Sequence, residues 1–502
     1  MRTALFLLLL LALAAVPGSL VPQRTSDPNG VTQYKVDHPT LYPILDKLQV
    51  FSTYSSVWFS AIYLLLFVSL IGCIIPRVKH HVDAMLAKPP KTPFRLSRMA
   101  GYREAEAPAG VTAAEAIEAA RAQLKSARYR TVVFDDGRQT SVSAERGYLR
   151  ETGNLVFHIA LLGILVVVGI GGGFGWTAQR VVVTGQTFVN TSVNFDSFNP
   201  GRFVDSDNLP AYSVKVDDLK VTYDSANGDS RGQALDYDAT VTATRKDGSS
   251  YRTHIKVNHP LRIDGTSVYL LGNGYAPVLT FRDANGKVIK SEATPFLPED
   301  SNLTSQGVVK VASGLSEQLG IIGIFMPTAP TDTDAQNLSS YPGLNNPRVS
   351  LTVYAGDLGV DSGQPQSVYA LDTKGLTQIA GPTAKTKGLN LGLGETVKLP
   401  NGLGSVTFSG VKRFASLDIH HDPTQGWVLV FAILVLAGLL TSLFVPRRRM
   451  WVKATTDASG AVRLEYAGLA RGEDPRLDEA VASLVAAHQK RLALGGFKNG
   501  KA

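Results

Sequence analysis

Cysteine is almost absent from this chain of 502 residues: there is one, Cys73, and it falls inside an apolar run. No intrachain disulfide can form, and with no CxxC pair for thiol exchange the chain is not itself a thioredoxin. Charge is missing locally as well. Ala4–Val21, Val57–Ile75, Leu155–Gly173 and Trp427–Val445 contain no Asp, Glu, Lys or Arg. The short catalytic signatures are lacking too: there is no HExxH, no Walker lysine loop and no zinc-spaced Cys/His set. Gly228–Gly232 matches G-x-S-x-G, but it falls in a hairpin turn without the strand-to-helix setting that a nucleophile elbow needs, so the match is coincidental. The formal net charge of +8 does not point to nucleic acid, because Lys and Arg gather beside the apolar runs, as cytoplasmic flanks do.

What is present is an alternation of membrane and soluble sequence. Each uncharged run has about the 18 to 20 residues that cross a hydrocarbon core. Arg2 precedes the first run, Arg77 and Lys79 follow the second, and Arg447, Arg448 and Arg449 follow the fourth; the positive-inside rule puts those ends in the cytoplasm. The first run also fits a cleaved signal peptide, with Arg2, a leucine core and small residues near Ala14 and Ala15, but it continues through Pro17, Gly18, Leu20 and Val21 and is expected to be retained. The segments are then 1–76, with two spans and a short outer loop carrying Arg24, Asp37, His38 and Asp46; 77–150, a basic cytoplasmic α+β segment; 151–175, the third span; 176–426, an extracytoplasmic β-rich domain; 427–446, the fourth span; and 447–502, a cytoplasmic tail.

Local signals fill in these segments. In the cytoplasmic segment a Pro-rich linker, Lys88–Pro93, precedes a helix opening at Thr112, where Thr112 and Glu115 form a T-x-x-E capping box. Tyr129–Phe134 and Thr140–Val142 read as strands around an Asp136-Gly137 turn, and the tail offers a strand pair and a helix opening at Asp474-Pro475. In the β-rich domain, Tyr212–Val216, Tyr237–Arg245, Ser267–Leu271, Arg348–Tyr354 and Gly404–Phe414 alternate with period two. Turn dipeptides at Asn227-Gly228, Asp247-Gly248, Asp264-Gly265, Asn285-Gly286 and Asn401-Gly402 point to an antiparallel sandwich or open barrel. Pro327–Pro347 reads as a long loop. The apolar cluster Leu319–Met326 is expected to be buried in the domain's own core. The glycine run Gly169–Gly175 suggests close helix packing in lipid.

The informative residue is His158, the one ionisable side chain within the four runs apart from tyrosine and cysteine. It lies about three residues, or roughly 5 Å, inside the third span. A neutral imidazole there suits a haem iron. Asn154, one turn earlier, could orient the ring, and Arg150, a turn further out, could meet a haem propionate. The bland alternative is a histidine that hydrogen-bonds a neighbouring helix or reaches the interface. His80 and His81 read as interfacial flank, His420 and His421 as a solvated loop outside the fourth span, and Cys73 as a packed membrane thiol. His38, His254 and His259 show no metal spacing.

Several strings are similar to the ResB family, the CcsB-type component of System II cytochrome c maturation. They are "VPGSLVPQ" from Val16, "DHPTLYPILDKL" in the outer loop, "SSVWFSAIYLLLFVSLIGCIIPR" across the second span, "AERGYLRETGNLVFHIALLGIL" from Ala144, "NHPLRIDGTSVYLLGNGYAP" in the β-rich domain and "HHDPTQGW" before the fourth span. The resemblance implies a polytopic α-helical membrane protein of four spans, with a large antiparallel β-rich extracytoplasmic domain and a small α+β cytoplasmic portion. It also implies a plasma-membrane subunit that helps deliver haem b, bound transiently, and attach it to apocytochrome c on the outer face. The implied partners are a CcsA- or ResC-like membrane subunit, apocytochrome c, a thioredoxin-like thiol reductant and membrane lipid. The Trp-rich haem-handling motif of the CcsA-like partner is missing here, so outer haem presentation and ligation would belong to that partner. This chain would be a scaffold and haem-path subunit, with catalysis belonging to the complex. On this resemblance His158 matches a membrane histidine proposed to ligate haem iron. The competing reading is a membrane-anchored extracytoplasmic binding or sensor protein without haem chemistry.

Overall fold

The structure, a computed structural model, describes residues 2–137, 139–226, 228, 230–330, 338–360 and 369–496. Its helices are α1 (Arg2–Leu20), α2 (Pro28–Asp37), α3 (Tyr42–Lys47), α4 (Val57–Leu86), α5 (Ala113–Ser126), α6 (Leu149–Phe174), α7 (Gln425–Phe444) and α8 (Leu477–Gly496). Four of them, α1, α4, α6 and α7, are long and apolar enough to cross a membrane. The chain forms two compact units, one of Met1–Gly169 with Thr424–Ala502 and one of Ile170–Pro423.

In the first unit, α4 starts on the Ser56 hydroxyl, which accepts from Phe59 N, and does not stop where its apolar run ends at Ile75. Pro76 lies inside it and the helix continues to Leu86. A proline costs the helix one N–H donor, and the helical bonds resume beyond it to Leu86. The loop between α1 and α4 is held by Gln23, whose amide donates to Val21 O and Val50 O and accepts from Thr53 N. Arg24 pairs with Asp46 at 2.7 Å, and Phe51 is fully buried against the rings of Tyr34 and Tyr42.

Helices α6 and α7 meet at glycines. A Cβ on Gly153 would lie 2.8 Å from Gly438 O and Ser442 N, and one on Gly438 would lie 2.6 Å from Phe157 N. Gly163 faces the Phe431 ring in the same way. In the glycine run, Gly169 meets the Tyr63 hydroxyl of α4 at 3.8 Å and Gly172 has nothing within 4 Å. The small residues that let α6 and α7 approach are Gly153, Gly163 and Gly438.

The segments on either side of the spans share one sheet. Strands Ala100–Glu106, Val462–Ala470, Arg448–Thr456, Gln139–Arg146 and Arg130–Asp135 lie in that order, all antiparallel. Helices α5 and α8 cover one face through Ile117, Leu124, Val481 and Leu484 against Val452, Leu464 and Tyr466. Thr112 forms the expected capping box with Glu115. The fully buried His488 donates from Nε2 to Ala116 O and accepts the Tyr466 hydroxyl at Nδ1, each at 2.8 Å. Burial lowers the His488 pKa and pushes that of Tyr466 up to about 12.

The second unit is built on two strands of 17 residues, Thr266–Arg282 and Ser405–His421, paired from Ser267↔His420 to Arg282↔Ser405. One end of this ribbon, with Trp176–Val183, packs on the sheet of Thr187–Val189, Tyr212–Tyr223, Ala234–Arg245 and Ser250–Lys256. The other end packs on the sheet containing Ser305–Val311, Leu319–Met326 and Arg348–Ala355. The result is two sandwich cores on one two-stranded ribbon. Leu319–Met326 is a strand with Leu319, Ile321 and Phe325 fully buried, as expected. Asn227 and Asp229, of the first turn dipeptide and the G-x-S-x-G match, and 331–337 of the long loop lie outside the described residues.

Candidate functional site

The residues of interest lie on two helical stripes of the first unit. On α4, Arg77, His80, His81 and Ala84 follow the i, i+3, i+4, i+7 pattern that puts side chains on one face. On α6, Glu151, Asn154, Leu155 and His158 follow the same pattern. Except for His158, all of these line a cavity of about 380 Å³, together with Pro76, Arg447 and Arg471. A second cavity of about 430 Å³ shares His80, Ala84, Arg447 and Arg471 and adds Glu145, Arg449, Leu469 and Ala470.

Two carboxylates organise the arginines. Glu145, 3% exposed, accepts from Arg447 at 2.8 and 3.1 Å, from Arg449 at 3.2 Å and from the Tyr148 hydroxyl at 2.8 Å. Burial raises its pKa, but the bonds from Tyr148 and Arg447 and the charges of Arg449 and Arg447 outweigh burial and hold it below the usual value. Glu151 pairs with Arg471 at 2.8 Å and with Arg447 at 3.6 Å. With Arg77 also on the wall, arginines outnumber carboxylates around the two cavities, so the basin favours an anionic group. His81 is anchored to Thr152, Nε2 to Oγ1 at 3.0 Å, and its buried Nδ1 has no hydrogen-bond partner among the described residues.

His158 extends the α6 stripe one turn beyond Asn154 and Leu155 into the apolar run. Helical side chains lean toward the N-terminus of their helix, here toward the cavity-lining turn. Its Nδ1 donates to Asn154 O at 2.7 Å, so it is the carbonyl of Asn154, rather than its side chain, that sets the ring. In a neutral ring this bond puts the proton on Nδ1 and leaves a lone pair on Nε2, which has no hydrogen-bond partner among the described residues. That is the state in which imidazole binds iron, and the half-buried ring on a spanning helix suits a hydrophobic ligand with an acidic edge. Arg150 is engaged elsewhere: its Nη1 donates to Arg471 O, beside Gly472. The arginines on the cavity wall are instead Arg77, Arg447 and Arg471. Sequence reasoning passed over their grouping, although the stripe Arg77–His80–His81–Ala84 is visible once α4 is carried through Pro76.

His420 and His421 end the strand Ser405–His421, which corrects the expectation of a solvated loop. His420 bonds Asp418 at 2.6 Å, which raises its pKa, and His421 bonds Gly265 O and stacks on Trp176. Ser230 of the G-x-S-x-G match donates to Asp224 Oδ2. Cys73 lies half-buried on α4.

The chain is similar in sequence to proteins of one name. A cytochrome c biogenesis protein CcsB of a Synechococcus species is 27% identical over 274 residues, 54% of this chain and 58% of that protein. The protein of the same name from Prochlorococcus marinus is 23% identical over 469 residues, 90% of this chain and 89% of the relative. That from Gloeobacter violaceus is 26% identical over 341 residues, 62% and 66% of the two chains. The profile of the ResB-like family matches residues 1–482, and the chain, with its spanning helices and its β-rich portion, belongs to that family.

Proposed function

We propose that this chain is a membrane subunit of the System II machinery that carries haem across the membrane and attaches it to apocytochrome c on the outer face. It would act with a CcsA- or ResC-like polytopic subunit, and the names of its relatives support that reading. In this reading the ends of the spans flanked by Arg77 and Arg447 are cytoplasmic, as is the five-stranded sheet, and the two-sandwich unit is extracytoplasmic, where it orients the acceptor or braces the partner subunit.

The observation that carries the proposal is His158. Its Nδ1 is tied to the Asn154 carbonyl, its Nε2 is without a partner among the described residues, and it sits on a spanning helix one turn above a basic basin. Haem is cargo here, and His158 Nε2 would hold its iron while the propionates meet arginines. Arg77 and Arg471 line the basin beside Asn154, whereas Arg150 is bonded to the Arg471 carbonyl. Thioether formation joins haem vinyl groups to two reduced cysteine thiols of the acceptor, so what this chain contributes is position. Its own single cysteine leaves thiol reduction to a thioredoxin-like partner.

The test is the visible spectrum of the detergent-purified complex with its CcsA-like partner, for wild type and His158→Ala. A Soret band that falls sharply in the variant and returns with added imidazole is the expected result. An unchanged spectrum would overturn the role of His158 and return it to helix packing.

A further inference from the structure

The end of the glycine run on α6 meets a loop of its own unit. Gly201 N donates to Gly175 O at 2.8 Å, Phe203 N to Gly173 O at 2.9 Å and Val204 N to Gly201 O at 3.1 Å. The last carbonyls of a helix have no partner within it, and this loop supplies donors to two carbonyls at the helix end. The approach leaves no room for a side chain. A Cβ on Gly201 would lie 2.5–2.8 Å from the carbonyl oxygens of Gly173, Gly175 and Gly172, and one on Gly173 would lie 2.9 Å from the Phe203 ring.

What the loop presents is apolar. Phe203 is 63% exposed and packs on Phe174, 50% exposed, with ring centroids 5.2 Å apart. Their depth follows from the length of the span. The uncharged run from Leu155 to Gly173 covers about 28 Å at the helical rise, so Gly173 falls at the boundary of the hydrocarbon core. A ring held in register with Gly173 falls there too. Irregular backbone is tolerated at that depth only where its polar groups are satisfied, and the N–H groups of Gly201, Phe203 and Val204 are. Arg202, exposed between them, is long enough to reach the phosphate layer.

We propose that Gly201–Phe203 is a membrane-interface anchor, in which Phe203 with Phe174 enters the acyl–headgroup boundary and Arg202 meets lipid phosphate. The occupant is lipid because the patch continues the surface of a spanning helix at its last turn. The anchor fixes the base of the β-rich unit to the bilayer surface independently of any haem chemistry.

The test uses the full chain in phospholipid nanodiscs, with Phe203→Cys in a Cys73→Ser background carrying a nitroxide. A label at the exposed hairpin position Asp247→Cys serves as the aqueous reference. The anchor predicts an oxygen-to-nickel-chelate accessibility ratio several-fold higher at position 203 than at position 247. Equal ratios would place the ring in water and overturn the proposal, and shielding from both reagents would place it against protein and overturn it equally. Phe203→Trp, a milder change, gives a second readout: strong fluorescence quenching by lipids brominated near the headgroup supports the anchor, and none refutes it.

Discussion

At the scale of single residues, the Glu145 carboxylate has the largest structural task. It is 3% exposed and receives two arginines and a tyrosine, and Arg447 beside it is 8% exposed. Removing one member of a buried pair strands the other, which typically costs about 3–5 kcal/mol, whereas an exposed pair is worth less than about 1 kcal/mol. Glu145→Gln is therefore expected to lower the apparent melting temperature of the detergent-solubilised chain clearly. Glu118→Gln, in the exposed pair with Arg121, should leave it nearly unchanged; equal effects would mean that the basin is not organised by Glu145. The pH dependence has a definite sign. Since the folded pKa of Glu145 lies below its usual value, its contribution is present above that usual value and is lost as pH falls through the folded pKa. His158 was legible in the sequence because an ionisable group stands out in an uncharged run. The partners of Arg447 were not, because Glu145 lies 302 residues away and nothing local encodes the meeting.

At the scale of elements, what periodicity and capping encode was read well, and what depends on a neighbour was not. The capping box at Thr112 and the strands at Arg348–Ala355 and Ala234–Arg245 follow from residues within one segment. The continuation of α4 past Pro76 does not, because a proline and the end of an apolar run are both ordinary stop signals. Glycines show the same limit, since composition marks the run Gly169–Gly175 while the α6–α7 crossing uses Gly153 and Gly438. Gly438→Ala is expected to destabilise the solubilised protein by about 1–3 kcal/mol through overpacking, because its Cβ would meet backbone rather than a movable side chain. Gly172→Ala, with nothing within 4 Å, is expected to be neutral or stabilising by up to about 1 kcal/mol, as alanine is in a helix. Thermal unfolding of the two variants decides the matter, and the reverse ranking would refute the crossing.

At the scale of the whole molecule, the sheet made of Ala100–Glu106, Val462–Ala470, Arg448–Thr456, Gln139–Arg146 and Arg130–Asp135 joins segments that the sequence presents as separate, one before α6 and one after α7. The tail supplies the second and third of the five strands and, in α8, one of the two covering helices. Without residues 447–496, Ala100–Glu106 would have no partner strand, and Ile117, Leu124 and Val142 would lose much of their cover. Exposed strand edges and apolar faces of that kind lead to aggregation and proteolysis. A chain ending at Pro446 should therefore fail to accumulate, or be cleaved rapidly between α4 and α6, even though all four spanning helices and the β-rich unit are intact. Supplying residues 447–502 as a separate polypeptide should restore protease resistance, because the pairing is a matter of strand edges and side chains and needs no covalent continuity through α7. If the truncated chain accumulates and resists protease like the full one, the sheet is dispensable and the tail is an accessory. If it is lost and then rescued in trans, the module closes by recruiting its own C-terminus, and the basin lined by Arg447 and Arg471 forms only when that closure is complete.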